Sequence, residues 1–185
     1  YAGLFVGIGG LFFAAFIAPP PAAAMRTMAF ALAGAAIALL LSVSLQGLDA
    51  LGLTLADVGR APSWRAGFAT SYGTAALVAV AAALPALVGL GTKGAMRRGL
   101  AILALATLGA AFALTGHASA APPQWLTRPA VFVHTVGVTV WTGALVPLAF
   151  LLLSAKESGF AAALRRFSRV IPFVVVPLVA SSLVL

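Results

Sequence analysis

From Thr27 to Leu48, and again from Gly67 to Leu90, the chain runs without one charged side chain. A helix needs about 20 apolar residues to cross the hydrocarbon of a bilayer, so each of these stretches is long enough to span it. Inside hydrocarbon no water is present to satisfy the backbone, which leaves helices and closed barrels as the only spanning structures. The Ala, Leu, Val and Gly runs lack the in-out alternation of barrel strands, so the sequence predicts helices. Six such runs, at about residues 1–18, 27–48, 67–90, 99–115, 129–153 and 169–185, predict an all-α fold. The expected architecture is a polytopic transmembrane helix bundle of about six spans, with residues 1–185 forming a single transmembrane domain. Composition agrees: 63% of residues are hydrophobic and 8% charged, against roughly half and a quarter in soluble domains.

The breaks between runs are marked by Pro19, Pro20 and Pro21, by the 49–65 segment, by the basic turn at 91–98, by the 116–128 loop and by 154–168. Pro85, Pro147, Pro172 and Pro177 fall inside runs, where neighbouring helices can satisfy the carbonyls that proline frees. The first run has no basic stretch before it and no small-residue cleavage signal, so it reads as a span and not as a signal peptide. Basic residues alternate by side. Arg26, Lys93, Arg97, Arg98, Lys156, Arg165, Arg166 and Arg169 fall at one membrane face, and Arg60, Arg65 and Arg128 at the other. By the positive-inside rule the first group faces the cytoplasm, and the N-terminus faces the periplasm of a bacterial inner membrane. The formal charge of +8 is thus a topology signal and not a nucleic-acid surface. Phe160, Leu164, Phe167, Ser168 and Arg169 suggest a short amphipathic stretch at the cytoplasmic surface.

Ionisable residues within spans are costly and point to function. The two histidines, His117 and His134, fall toward the same, outer face, on neighbouring antiparallel runs joined by a short loop. Ser42, Gln46 and Asp49 lie along one stripe of the second run, Thr70, Tyr72 and Thr74 open the third, and Trp141 follows His134 by two helical turns. These residues predict a polar cluster at the outer mouth, with His117 and His134 as candidate metal ligands and Asp49 and Gln46 as further ones. Tyr72 and Trp141 would support it. The competing reading of His134 is an interhelical hydrogen bond that locks the bundle; of Tyr72 and Trp141, belt or packing aromatics. Met25, Met28 and Met96 lie toward the inner side, where methionine is commonly a gap-filler. Cysteine is absent, which removes disulfides and thiolate ligands. Nucleotide-binding and hydrolase motifs are missing as well, so a non-enzymatic role is expected.

The run from Phe132 through His134 and Gly137 to Trp141, Gly143 and Pro147 resembles the His-to-Trp-x-Gly-Gly segment of the CopD family of copper-resistance membrane proteins. Thr115-Gly116-His117-Ala118 is similar to that family's Thr-Gly-His-Ala, Phe167-Ser168-Arg169 to its Phe-Ser-Arg, and Thr70-Ser71-Tyr72-Gly73 to its Thr-x-Tyr/Phe-Gly. Ala144 departs from the pattern, standing where a second Gly is common, and so does Thr74-Ala75-Ala76 after Gly73. The resemblance implies inner-membrane copper transport and homeostasis, with copper received at a periplasmic-side histidine site from a periplasmic protein of the CopC type. It also implies about eight spans, so that the chain, which starts without Met and stops inside an apolar run, is expected to be part of a longer protein.

Imidazole suits copper as Cu(I) or Cu(II), with Cu(I) favouring the soft ligands that the outer end lacks. Two readings from other classes stand beside copper. Histidines on neighbouring helices can ligate haem in a b-type membrane cytochrome, and a structural membrane subunit would use them only for packing.

Overall fold

The computed structural model describes residues 1–116, 121–154 and 157–185, and among them every regular element is a helix. In chain order these are α1 (Ala2–Phe16), α2 (Ala22–Leu51), a short 3-10 turn (Leu55–Asp57), α3 (Ala61–Phe68), α4 (Ser71–Leu90), α5 (Gly94–Ala113), α6 (Gln124–Leu153) and α7 (Glu157–Ser182). Four of them, α2, α4, α5 and α6, are long and apolar enough to cross a membrane, and the chain is a membrane protein. The expected count of about six spans is met only in part. Helix α1 has 15 residues, short of a full span. Helix α7 is long enough, but Arg165, Arg166 and Arg169 occupy its first half.

Local chemistry sets the ends. The three prolines after α1 supply no N–H to extend it, and Pro21 caps α2 with extended backbone. At the far end of α2, Gly52 turns left-handed at φ 63°, and the N–H groups of Gly52 and Leu53 bond back to Asp49 and Leu48. The run expected at 67–90 is divided: Thr70 accepts a hydrogen bond from the Gly73 N–H at 3.1 Å and starts α4 afresh. Part of the expected 49–65 loop is α3. The helices continue unbroken through Pro85, Pro147, Pro172 and Pro177. The amphipathic stretch expected near Phe167 is the first half of α7, with Phe160 and Phe167 packed inward and Leu164 exposed.

The shortest apolar helix is the central one. Helix α1 packs against α2, α4, α5 and α6, and Leu4, Ile8, Leu11 and Phe13 are fully buried in these contacts. Lipid tails are as apolar as leucine, so such packing depends on close fit and not on hydrophobic transfer. Glycine provides the fit. A Cβ on Gly9 would lie 1.9 Å from the Thr139 carbonyl oxygen of α6, and one on Gly143 2.2 Å from the Phe5 carbonyl oxygen of α1. The two backbones therefore touch. Helix α7 rests mainly on α6, where Phe160 and Phe167 meet a cluster of Phe13, Ile17, Ala144, Leu148 and Ala163.

Candidate functional site

The chain direction of each helix brings the N-terminal ends of α1, α4 and α6 and the C-terminal ends of α2, α5 and α7 to one end of the bundle. His134 sits in the first third of α6 and is half-buried. Its Nδ1 lies 3.2 Å from Ser182 Oγ and 3.4 Å from Ser181 Oγ, both in the last turn of α7. Each serine hydroxyl already bonds to the Leu178 carbonyl, at 2.9 Å for Ser182 and 2.7 Å for Ser181. A serine has one hydrogen to donate, and here the carbonyl takes it. With both hydroxyl hydrogens on that carbonyl, the serine oxygens accept from the ring, which favours the tautomer with its proton on Nδ1 and its lone pair on Nε2. The interhelical lock anticipated for this histidine is present, and it leaves the other ring nitrogen open.

His134 lines a cavity of about 340 Å³ together with Phe5, Phe112, Val131, Thr135, Val138 and Leu185. Its walls are apolar apart from His134 and Thr135. Phe112 makes tilted ring contacts with Tyr1 at 4.7 Å and with Phe5 at 5.9 Å between centroids, which ties the cavity to a second polar group of the same end. There the Tyr72 hydroxyl lies 2.5 Å from Ser42 Oγ. Ser42 donates its own hydrogen to the Leu39 carbonyl at 2.7 Å, so Tyr72 is the donor. Tyr1 lies close enough to Tyr72 for the two hydroxyl groups to interact. Of the residues predicted to cluster at this mouth, Tyr72 pairs with Ser42, while His134 pairs with two serines of α7 that the prediction did not include.

The remaining predicted site residues are distributed more widely. His117 lies outside the described residues. Gln46 is half-buried on α2 and Asp49 is exposed near its end, and neither lines the His134 cavity. Trp141 is exposed on α6 and also lies outside the cavity walls, as a lipid-facing aromatic does. Met28 is fully buried beside Gly10, a packing role, while Met96 is exposed. Among the described residues no three His, Cys, Asp or Glu side chains converge as a metal cluster. Sequence reasoning missed Ser181, Ser182 and Tyr1. The signal for the serines was their position as the only adjacent polar pair in the last apolar run, at the same membrane depth as His134.

The connection between α2 and α3 is folded and not open. Ser44 donates to the Val58 carbonyl at 2.6 Å, Ser63 to the Asp57 carbonyl at 2.9 Å, and Arg60 pairs with Asp57 at 2.6 Å. Both serines are fully buried, so these bonds hold the 52–60 segment against α2 and α3. Comparison of the chain with known family models, with curated proteins and with solved structures found no match.

Proposed function

We propose that this chain handles copper in a bacterial inner membrane, receiving the ion at the tyrosine and histidine end of the bundle, with His134 Nε2 as its first protein ligand. The observation that carries this reading is the tautomer argument at His134. A metal-binding imidazole commonly donates its second N–H to an oxygen, which fixes the ring and aims the lone pair of the other nitrogen. Ser181 and Ser182 supply those oxygens.

A lone imidazole needs partners. His117 is the candidate from the preceding run, with water as a further donor in place of Asp49 and Gln46, which lie away from the His134 cavity, and a nitrogen and oxygen set of this kind suits Cu(II). The positive-inside rule orients this end toward the periplasm, where a copper protein of the CopC type would act as donor. The resemblance of the segments around His117, His134, Tyr72 and Phe167 to the CopD family supports the same assignment.

Copper titration of the purified chain, followed by metal analysis, tests the proposal. Wild-type protein should retain copper, His134→Ala should lose it, and Ser182→Ala should weaken it by about 10-fold, the low end of the loss seen when an outer-shell partner is removed. Unchanged affinity in His134→Ala refutes the copper reading. An optical spectrum with a Soret band that disappears in His134→Ala would replace it with a haem protein.

A further inference from the structure

Helix α1 is about 22 Å long at 1.5 Å per residue, against about 30 Å of hydrocarbon. No following helical turn supplies N–H groups to the carbonyls of Ala14, Ala15 and Ile17. Three arginines supply the donors. Arg97 Nη1 lies 3.4 Å from the Ala14 carbonyl oxygen, Arg98 Nε 3.5 Å from that of Ala15, and Arg166 Nη1 3.2 Å from that of Ile17. Cations at a helix C-terminus also complement its dipole.

This arrangement gathers three guanidinium groups at the end of α1. Two of the three acidic residues, Asp49 and Asp57, lie at the opposite end of the bundle, and Glu157 is the third. Each guanidinium has five N–H donors, of which one is used here. Arg97 Nε is buried with no partner at all. Between the end of α1 and the side chains of Arg98 and Arg166 is a cavity of about 180 Å³, open to the surroundings and walled by backbone from Ala14 to Pro19.

We propose that this cavity binds the phosphate of an anionic membrane lipid, held between Arg98 and Arg166. Arginine forks match phosphate oxygens, and a basic pocket between helices near the headgroups is suited to an anionic lipid. The lipid's phosphate would complete the hydrogen bonding of the guanidinium groups that cap α1. The site is independent of the copper reading.

The experiment uses the full chain in detergent, with phosphatidylglycerol, phosphatidylcholine or inorganic phosphate added, and follows retained lipid by native mass spectrometry and stability by thermal melting. Phosphatidylglycerol should remain bound and raise the melting temperature, and the other two should do neither. Arg98→Gln and Arg166→Gln should each retain phosphatidylglycerol about fivefold less well, while Arg65→Gln, at the opposite end, should match wild type. Arg166→Lys keeps the charge and a donor to the Ile17 carbonyl, so it should fold, yet it should lose part of the lipid selectivity with the fork. Equal retention by wild type and the Arg98 and Arg166 variants, or equal retention of the zwitterionic lipid, overturns the proposal. Stabilisation by inorganic phosphate alone overturns the lipid as the source of the anion.

Discussion

Replacing Gly9 with alanine should damage the bundle more than its single added methyl suggests. The new Cβ would stand 1.9 Å from the Thr139 carbonyl oxygen and 2.8 Å from Gly143 Cα. Ordinary contact begins near 3.4 Å, so α1 and α6 must separate by about 1.5 Å at the crossing, since both obstacles are backbone and cannot rotate away. Overpacking of this kind costs roughly 1–3 kcal/mol, and a rigid obstacle places Gly9→Ala at about 3 kcal/mol. At roughly 2–4 °C per kcal/mol for a chain of this size, the melting temperature should fall by about 6–12 °C. Gly34→Ala is the control: it is also within a helix, with nothing within 4 Å of the new methyl, and should gain up to about 1 kcal/mol from helix propensity. Gly143→Ala meets Phe5 and Gly9 across the same crossing, so the double variant should cost less than the two single costs combined. Thermal melts of the purified proteins in one detergent, followed by circular dichroism, measure all four. A Gly9→Ala variant as stable as Gly34→Ala would refute the close-crossing argument.

Two further outcomes concern the segment that closes the tyrosine end. Ser44→Ala removes the 2.6 Å donor of the half-buried Val58 carbonyl and should cost about 1 kcal/mol, visible in the same melts and as faster proteolysis within residues 52–60. Asp57→Asn should cost less than about 1 kcal/mol, because the Arg60 partner is largely exposed, and the small difference should vanish in high salt.

Much of the architecture was legible because hydrocarbon allows so few backbone solutions. The uncharged runs around Leu39, Ala79, Leu105 and Val140 became α2, α4, α5 and α6. What composition concealed was which helix lies inside. In water, a helix that is apolar on every side announces its burial, but in a bilayer every span has that character, so nothing distinguished α1 from its neighbours. Its glycines at positions 7, 9 and 10 carried the information, and only their partners on α2 and α6 make it readable. Charge-based segmentation also misjudged α7, since it placed Arg165 and Arg166 in a break before the last run although helical backbone runs straight through them. At the site, His134 and the Ser42–Tyr72 pair were found because polar atoms in apolar runs are conspicuous. Gln46 and Asp49 share Ser42's stripe by periodicity, yet they continue past Tyr72 toward the end of α2.

The position of α1 also imposes an order on assembly. It precedes α6 by more than 100 residues in the chain, yet α6 forms part of the wall that encloses it. During synthesis its glycine face must wait, exposed to lipid or to transient neighbours, until Thr139 and Gly143 have been inserted. Enclosure of α1 thus depends on a long-range docking event, and any chain released before α6 would leave the glycine groove of α1 uncovered.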